Sequence, residues 1–167
     1  MPLPTRAQQL ISRLQLQPHP EGGFFAEVHR ATATVDPRDG RPPRAALTSI
    51  YFVLADGGFS RWHRVRSDEV WCHLEGAPLQ LHLLDARDAG TEPRAWSTRL
   101  APVDAHSAPQ ATVPADVWQA AQSEGEYSLV ACMVAPGFDF ADFTMMAPDE
   151  PLRAWLAARH PALAALC

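Results

Sequence analysis

Apolar and polar positions alternate along most of the chain, and this pattern predicts short β-strands. In residues 78–84, Leu79, Leu81 and Leu83 share one face of the predicted strand. Turn-forming residues separate such segments at intervals of about ten residues, which is typical of an all-β sandwich or barrel. The other predicted strands cover residues 24–29, 47–54, 96–100 and 127–134, and residues 112–121 around a proline-centred turn.

Helical periodicity occurs only towards the two ends. Thr5 and Gln8 have the spacing of a capping box, and a helix over about residues 149–160 ends before Pro161. Residues 31–46 are rich in proline and glycine and predict a loop. We therefore predict one domain over residues 1–167, with the barrel over about 19–145. The first helix, over about residues 5–16, is predicted from an apolar stripe formed by Ala7, Leu10, Ile11 and Leu14.

Charge and composition exclude several classes of function. The chain has 14 basic and 19 acidic residues and no basic block, which disfavours nucleic acid and anionic membranes as partners. Every basic residue is arginine, so side-chain Schiff-base chemistry and a P-loop lysine are excluded. The three cysteines form neither a metal-spaced pair nor an even disulfide set. Reduced thiols and the lack of a long apolar run predict a cytoplasmic protein.

The segment GGFSRWHRVRSDEVWCHLEG, residues 57–76, carries the most specific pattern in the chain. It holds His63, Val65 and Glu69 at fixed intervals between two glycines. This spacing resembles the first motif of the cupin superfamily, in which a second histidine stands where this chain has Val65. The segment PADVWQ fits the second cupin motif in outline, with Gln119 in place of the histidine ligand.

Several further segments resemble one branch of that superfamily, the cupin-5 family. They are HPEGGFFAEVHR, SIYFVL, FSRWHRVRSDEVW, GAPLQLHLLD, VPADVWQAA and APGFDFADF, and they follow one another in the same order over about residues 10–145. The resemblance implies a double-stranded β-helix, which is the jelly-roll barrel, usually assembled as a homodimer. It implies no particular reaction. The chain departs from the family at Phe24 and Phe25, where tyrosine is frequent, and at Cys72, where histidine is common.

A metal site is one interpretation of the motif. In cupins, three histidines and one glutamate hold the metal, and the corresponding positions here are His63, Val65, Glu69 and Gln119. Valine has no donor atom, and an amide oxygen is a weak, uncharged ligand. This set falls short of two histidines and one carboxylate, so any divalent metal is expected to bind weakly at His63, Glu69 and Gln119. His73 and His82 are the candidates for the missing nitrogen ligand.

A metal-free acid–base site is the second interpretation. His63 and Glu69 are predicted to point inward from adjacent strands, where a carboxylate can tune the imidazole as a base. Cupin-type epimerases and isomerases use a histidine base in this way on sugar derivatives. Arg61 shares the strand parity of His63 and is expected to grip a carboxylate or phosphate. The alternative is that His63 and Glu69 satisfy each other in a pocket without turnover.

A binding module is the third interpretation, and it leaves catalysis open. Apolar walls with a few polar groups are typical of a ligand pocket. The leading hypothesis is a protein that binds a small polar or anionic metabolite, with or without acid–base conversion. The alternatives are a metal-dependent cupin enzyme with a reduced ligand set and a non-catalytic or storage-like protein. Besides His63 and Glu69, the expected ligand-binding residues are Phe25, Glu27, Arg61, Trp71, His82 and Gln119.

Overall fold

Antiparallel strands form most of the protein. A computed structural model describes residues 3–88 and 90–167. The helices are α1 (Thr5–Arg13), α2 (Pro151–Arg159) and α3 (Pro161–Ala164), and a 3₁₀ turn covers Phe140–Asp142. The strands are β1 (Gln17–Pro18), β2 (Phe24–Arg30), β3 (Thr34–Val35), β4 (Arg44–Ala45), β5 (Thr48–Ala55), β6 (Phe59–Val65), β7 (Asp68–Gly76), β8 (Leu79–Asp85), β9 (Arg94–Leu100), β10 (Gln110–Val113), β11 (Trp118–Ser123), β12 (Tyr127–Ala135) and β13 (Phe143–Met145).

The strands build two facing sheets. The first sheet has the order β1-β2-β5-β12-β7-β10, and the second has the order β13-β6-β11-β8-β9. Successive strands β6 and β7 belong to opposite sheets, so the chain crosses from one layer to the other at residues 66–67. This arrangement is a jelly-roll-like β-sandwich, and the fold predicted from the sequence is confirmed.

The main hydrophobic core lies between the sheets. Leu79, Leu81 and Leu83 are buried there, as the alternation in β8 predicts. His82 lies between them in sequence, and its side chain therefore points to the opposite face of the second sheet. The other members of this core include Phe52, Leu54, Trp71, Leu100, Val113, Val117, Ala121 and Val130.

The helices cover the outer faces of the sheets. Leu156 of α2 packs with Trp62 and Trp118 against the second sheet, and Ala7 of α1 packs against the first. The predicted capping box is wrong, because Pro4 is the N-cap of α1 and no side chain caps it. The helix also ends at Arg13, earlier than predicted. Within the described residues, no helix has the length and apolarity needed to cross a bilayer.

The loop prediction for residues 31–46 is wrong in part. Strands β3 and β4 pair there as a short two-stranded ribbon. Arg41 and Arg44 anchor the ribbon to the buried carboxylate of Asp142, with nitrogen–oxygen distances of 2.9 and 2.8 Å. Local sequence could not indicate this ribbon, because its anchor lies about a hundred residues away in the chain.

Candidate functional site

A cavity of about 260 Å³ opens between the two sheets. Its walls come from β2, β5, β7 and β12 of the first sheet and from β6 and β13 of the second. Apolar and aromatic side chains form most of the lining. They are Phe25, Ile50, Phe52, Val65, Trp71, Val134, Phe138, Phe140 and Phe143.

A tight turn before β2 places the carboxylate of Glu21 in this cavity. The backbone N–H of Gly22 donates to the His19 carbonyl at 3.0 Å, and Gly22 has a φ of +114°, which side chains rarely allow. A Cβ at Gly22 would overlap the carbonyl oxygen of Phe59, so the turn lies directly on β6. The turn directs Glu21 inward, where the residue is only 6% exposed.

Glu21 is the centre of the polar network. One carboxylate oxygen accepts a 2.8 Å hydrogen bond from the Ser60 hydroxyl. The other oxygen lies 3.3 Å from His63 Nε2 and 3.3 Å from His19 Nδ1. Burial by itself raises the pKa of Glu21, but the charge of His63, the adjacent His19 imidazole and the hydrogen bond from Ser60 outweigh it and lower the pKa. Glu21 is therefore a buried carboxylate held in its ionised form.

The contacts of His63 locate a proton. Its Nδ1 lies 2.8 Å from the carbonyl oxygen of Arg61, which only accepts hydrogen bonds, so Nδ1 carries a hydrogen. Its Nε2 faces the Glu21 carboxylate, and an ionised carboxylate is also only an acceptor. This 3.3 Å contact is an ion pair when Nε2 carries a proton. His63 and Glu21 form an imidazole–carboxylate pair on the cavity wall.

Glu69 occupies a separate part of the wall. The Trp71 indole N–H donates to Gln119 Oε1 at 2.9 Å, which directs the Gln119 amide nitrogen towards Glu69 Oε2 at 2.5 Å. Burial raises the pKa of Glu69, and the Glu21 charge raises it further, whereas His63 and the Gln119 hydrogen bond offset part of this rise. The two buried carboxylates therefore have pKa values shifted in opposite directions, as in acid–base sites.

Contrary to the non-catalytic alternative, His63 and Glu69 do not satisfy each other by direct contact, although the charge of His63 still acts on Glu69. His63 takes Glu21 as its carboxylate partner, and Glu69 takes the Gln119 amide. Both His63 and Glu69 nevertheless line the same cavity, as the motif spacing indicates.

The other predicted ligand-binding residues fall into two groups. Phe25, Glu27 and Trp71 line the cavity, and Gln119 supports it through Trp71 and Glu69. The carboxylate of Glu27 is paired with Arg30, which donates to both of its oxygens at 2.9 and 2.6 Å. The second group, Arg61 and His82, lies away from the cavity.

Arg61 and His82 are not brought to the cavity. Arg61 is exposed, and its guanidinium donates to the Pro20 carbonyl. Arg61 was expected on the same strand face as His63, but a β-bulge between β6 and β11 breaks the alternation of β6. Ser60 and His63 therefore both reach Glu21, and Arg61 points outward. His82 lies on the outer face of its sheet, where Nδ1 contacts the Ser97 hydroxyl at 2.7 Å.

Sequence reasoning missed several residues of the site. Neither Glu21 nor His19 is among the residues predicted for the site. The sequence signal for Glu21 is its position directly before Gly22 and Gly23, because two glycines allow a turn that points the preceding side chain inward. Cys132 also lines the cavity, and burial raises the pKa of its thiol well above the usual range, so the thiol is neutral.

The fold and the site together define a jelly-roll protein with an aromatic cavity that carries an imidazole–carboxylate pair. The family described as Cupin superfamily (DUF985) matches residues 8–146. The chain belongs to this family, as the motif resemblance predicts.

Solved structures of similar proteins agree with this assignment. A hypothetical protein from Leishmania major is 36% identical over 96% of this chain and 95% of its own, with a TM-score of 0.78. A protein from Shewanella oneidensis is 31% identical over 96% and 93%, with a TM-score of 0.77. A cupin 2 domain-containing protein from Halorhodospira halophila, 19% identical over 90% and 86% with a TM-score of 0.55, shares the fold. No curated protein matches the chain.

The donor atoms at the cupin ligand positions do not fit a transition metal. Val65 offers no electron pair, and the Gln119 oxygen already accepts from the Trp71 indole while its nitrogen faces Glu69. In the part of the chain that the structure describes, no three His, Cys, Asp or Glu residues are grouped to hold a metal ion.

Proposed function

We propose that the cavity binds a small polar metabolite and moves a proton on it without a metal, as an epimerase or isomerase does. The observation that carries this proposal is the buried pair of His63 Nε2 and the Glu21 carboxylate, 3.3 Å apart, beside a second carboxylate, Glu69, whose pKa is raised. General acid–base catalysis works best when the catalytic pKa lies near the working pH. Burial raises the pKa of Glu69 and so moves it towards the working pH.

The two groups have complementary roles. The Glu69 carboxylate removes a proton from a carbon next to a carbonyl, and the electron pair moves onto the carbonyl oxygen. His63 donates its Nε2 proton to that oxygen, while the Arg61 carbonyl, which accepts from Nδ1 at 2.8 Å, keeps the imidazole oriented. Return of the protons to the other face or the neighbouring carbon completes an epimerisation or isomerisation.

The cavity volume restricts the size of the metabolite. A water molecule occupies about 30 Å³ in the liquid, so about 260 Å³ corresponds to roughly nine waters. A compound of about ten non-hydrogen atoms fits this space. We therefore propose a single sugar derivative or a smaller hydroxycarbonyl compound.

Solvent exchange tests the acid–base proposal directly. The protein is incubated in D₂O with small aldoses, ketoses and hydroxyketones, and deuterium incorporation at carbon is followed by proton NMR. We expect Glu69→Gln and His63→Gln to lower the exchange rate at least a hundredfold. Glu92→Gln is the control, because Glu92 is exposed and pairs with Arg159 away from the cavity. Exchange at the parent rate in both cavity variants would contradict the proposal.

Binding without turnover is the second candidate. The observation that favours it is that Glu21, His63 and Glu69 already have protein partners. A ligand that raises the melting temperature without any carbon-bound deuterium exchange would support this candidate over the enzyme.

The alternative of a metal-dependent enzyme with the reduced ligand set of His63, Glu69 and Gln119 is disfavoured, because both amide atoms of Gln119 already have protein partners. Elemental analysis after equilibration with Mn, Fe or Zn separates it from the others. We expect trace metal, and one bound ion per chain would support the metal-dependent enzyme.

We also propose that the chain assembles as a homodimer through its first sheet. Val28 and Leu74, on strands of that sheet, are about half exposed, which is unusual for such large apolar side chains. Light scattering during gel filtration measures the mass, and Leu74→Glu is expected to shift a dimer towards monomer.

A further inference from the structure

The cavity lining carries more acidic than basic groups. Arg30 supplies a guanidinium, but its nitrogens already contact both carboxylate oxygens of Glu27 at 2.9 and 2.6 Å. The lining includes four carboxylates. They are Glu27 and, in addition, Glu21, Glu69 and Asp139. The surroundings are therefore ill suited to an anionic ligand.

The same cavity has a cluster of aromatic rings at one end. Phe138 and Phe140 meet edge to face, with centroids 5.1 Å apart and an interplanar angle of 81°. Phe140 and Phe143 meet at 6.1 Å and 78°. The imidazoles of the site already lie against two of these rings, His19 stacked on Phe140 at 6.1 Å and His63 tilted over Phe143 at 5.3 Å. An aromatic face attracts positive charge, so this end of the cavity favours cationic groups. Phe140 is 55% exposed, so burial in the core does not account for its position.

We propose that the ligand is a compact organic cation, such as an ammonium compound, with its charge held between the Glu69 carboxylate and the phenylalanine cluster. This inference rests on the binding half of the proposed function and adds the chemical class of the ligand. Carboxylates and aromatic faces both favour a cation, and they act together most strongly where water is excluded.

Repulsion inside the cavity supports the same ligand class. The Glu21 charge opposes ionisation of Glu69, so two buried carboxylates compete in the absence of a ligand. A cation beside Glu69 reduces that repulsion and fills the apolar space. The exposed position of Arg61, the residue expected to grip an anion, agrees with this interpretation.

Three probes of nearly equal shape test the charge preference. They are choline, the neutral 3,3-dimethylbutan-1-ol and the anionic 3,3-dimethylbutanoate, each titrated into the whole protein by calorimetry. We expect choline to bind at least tenfold more tightly than the alcohol, and the butanoate to bind most weakly. Equal affinity for choline and the alcohol, stronger binding of the butanoate, or no measurable binding of choline would overturn the proposal.

Variants locate the charge preference in the cavity. Glu69→Gln keeps the size of the side chain, and it should weaken choline at least tenfold while leaving the alcohol within about twofold. Phe140→Leu should weaken choline about fivefold because it removes a ring face at the cavity entrance. Glu92→Gln should leave both affinities unchanged, and melting temperatures confirm that each variant is folded. A choline preference that survives Glu69→Gln and Phe140→Leu would also overturn the proposal.

The two proposals fail in different ways. A preference for choline without deuterium exchange on any carbonyl compound would refute the acid–base function and leave the cation site in place. Exchange on a neutral carbonyl compound, combined with equal affinity for choline and the alcohol, would refute the cation site and leave the acid–base function in place.

Discussion

Replacement of Glu21 by glutamine is the sharpest test of the polar network. Glutamine preserves the shape of the side chain but removes its negative charge. The carboxylate accepts from Ser60 at 2.8 Å and lies 3.3 Å from both His63 and His19. Glu21→Gln therefore leaves the buried His63 imidazole without its carboxylate partner.

The expected loss follows from this burial. The side chain of Glu21 is 8% exposed and that of His63 is 2% exposed, so water cannot replace the lost partner. Removing one partner of a buried ion pair typically costs about 3–5 kcal/mol, and a charged hydrogen bond contributes about 1.5–3 kcal/mol. Because glutamine retains one acceptor, we expect the free energy of unfolding to fall by about 3 kcal/mol at pH 7.

The dependence on pH identifies the cause of that loss. The folded state lowers the pKa of Glu21 from its ordinary value of 4.5, so its stabilisation is fully present above pH 4.5. It is lost as the pH falls through the lower folded pKa, and the difference between parent and variant should then shrink. Urea unfolding of parent and variant at several pH values measures the loss in free energy of unfolding and its dependence on pH.

The exposed carboxylate of Glu27 supplies the matched control. Its side chain is 38% exposed in the pair with Arg30, so Glu27→Gln should cost no more than about 1 kcal/mol. A loss below about 1 kcal/mol for Glu21→Gln, or a loss that stays constant on acidification, would refute the assignment of Glu21 as an ionised partner of His63.

Three further changes test other parts of the structure. The folded state raises the pKa of Glu69, so its contribution to stability is present below pH 4.5 and declines as the pH rises through the raised pKa. Glu69→Gln should therefore become more stable relative to the parent as the pH rises above 4.5 in urea unfolding, and the opposite trend would contradict the shift. Asp142→Ala removes the acceptor of two nearly buried guanidiniums and should cost about 3–5 kcal/mol. It should also speed proteolysis within residues 31–46, and an unchanged cleavage rate would show that the ribbon does not depend on this anchor. Gly22→Ala should lower the melting temperature more than Gly40→Ala, because both glycines have positive φ but only an added methyl at Gly22 meets neighbouring backbone. Equal effects would mean that backbone strain alone accounts for the loss.

Much of the fold could be predicted because strand periodicity is local. Leu79, Leu81 and Leu83 lie in the core as their alternation indicates, and the spacing of His63 and Glu69 places both on the cavity. Strand alternation wrongly predicted that Arg61 points into the cavity, because a bulge in the pairing of β6 with β11 changes which β6 residues face inward. No local pattern marks that bulge, since it depends on how two distant strands are paired.

The sequence by itself determined the jelly-roll family and the residue types available to its cavity. Motif spacing and apolar alternation are properties of neighbouring residues, and they specify strands and turns without reference to the rest of the chain. The tertiary structure decided that Glu21, and not Glu69, is the partner of His63. That choice depends on a glycine turn folding back onto β6 and on the register of β6 with β11, which bring together side chains that lie far apart in the sequence.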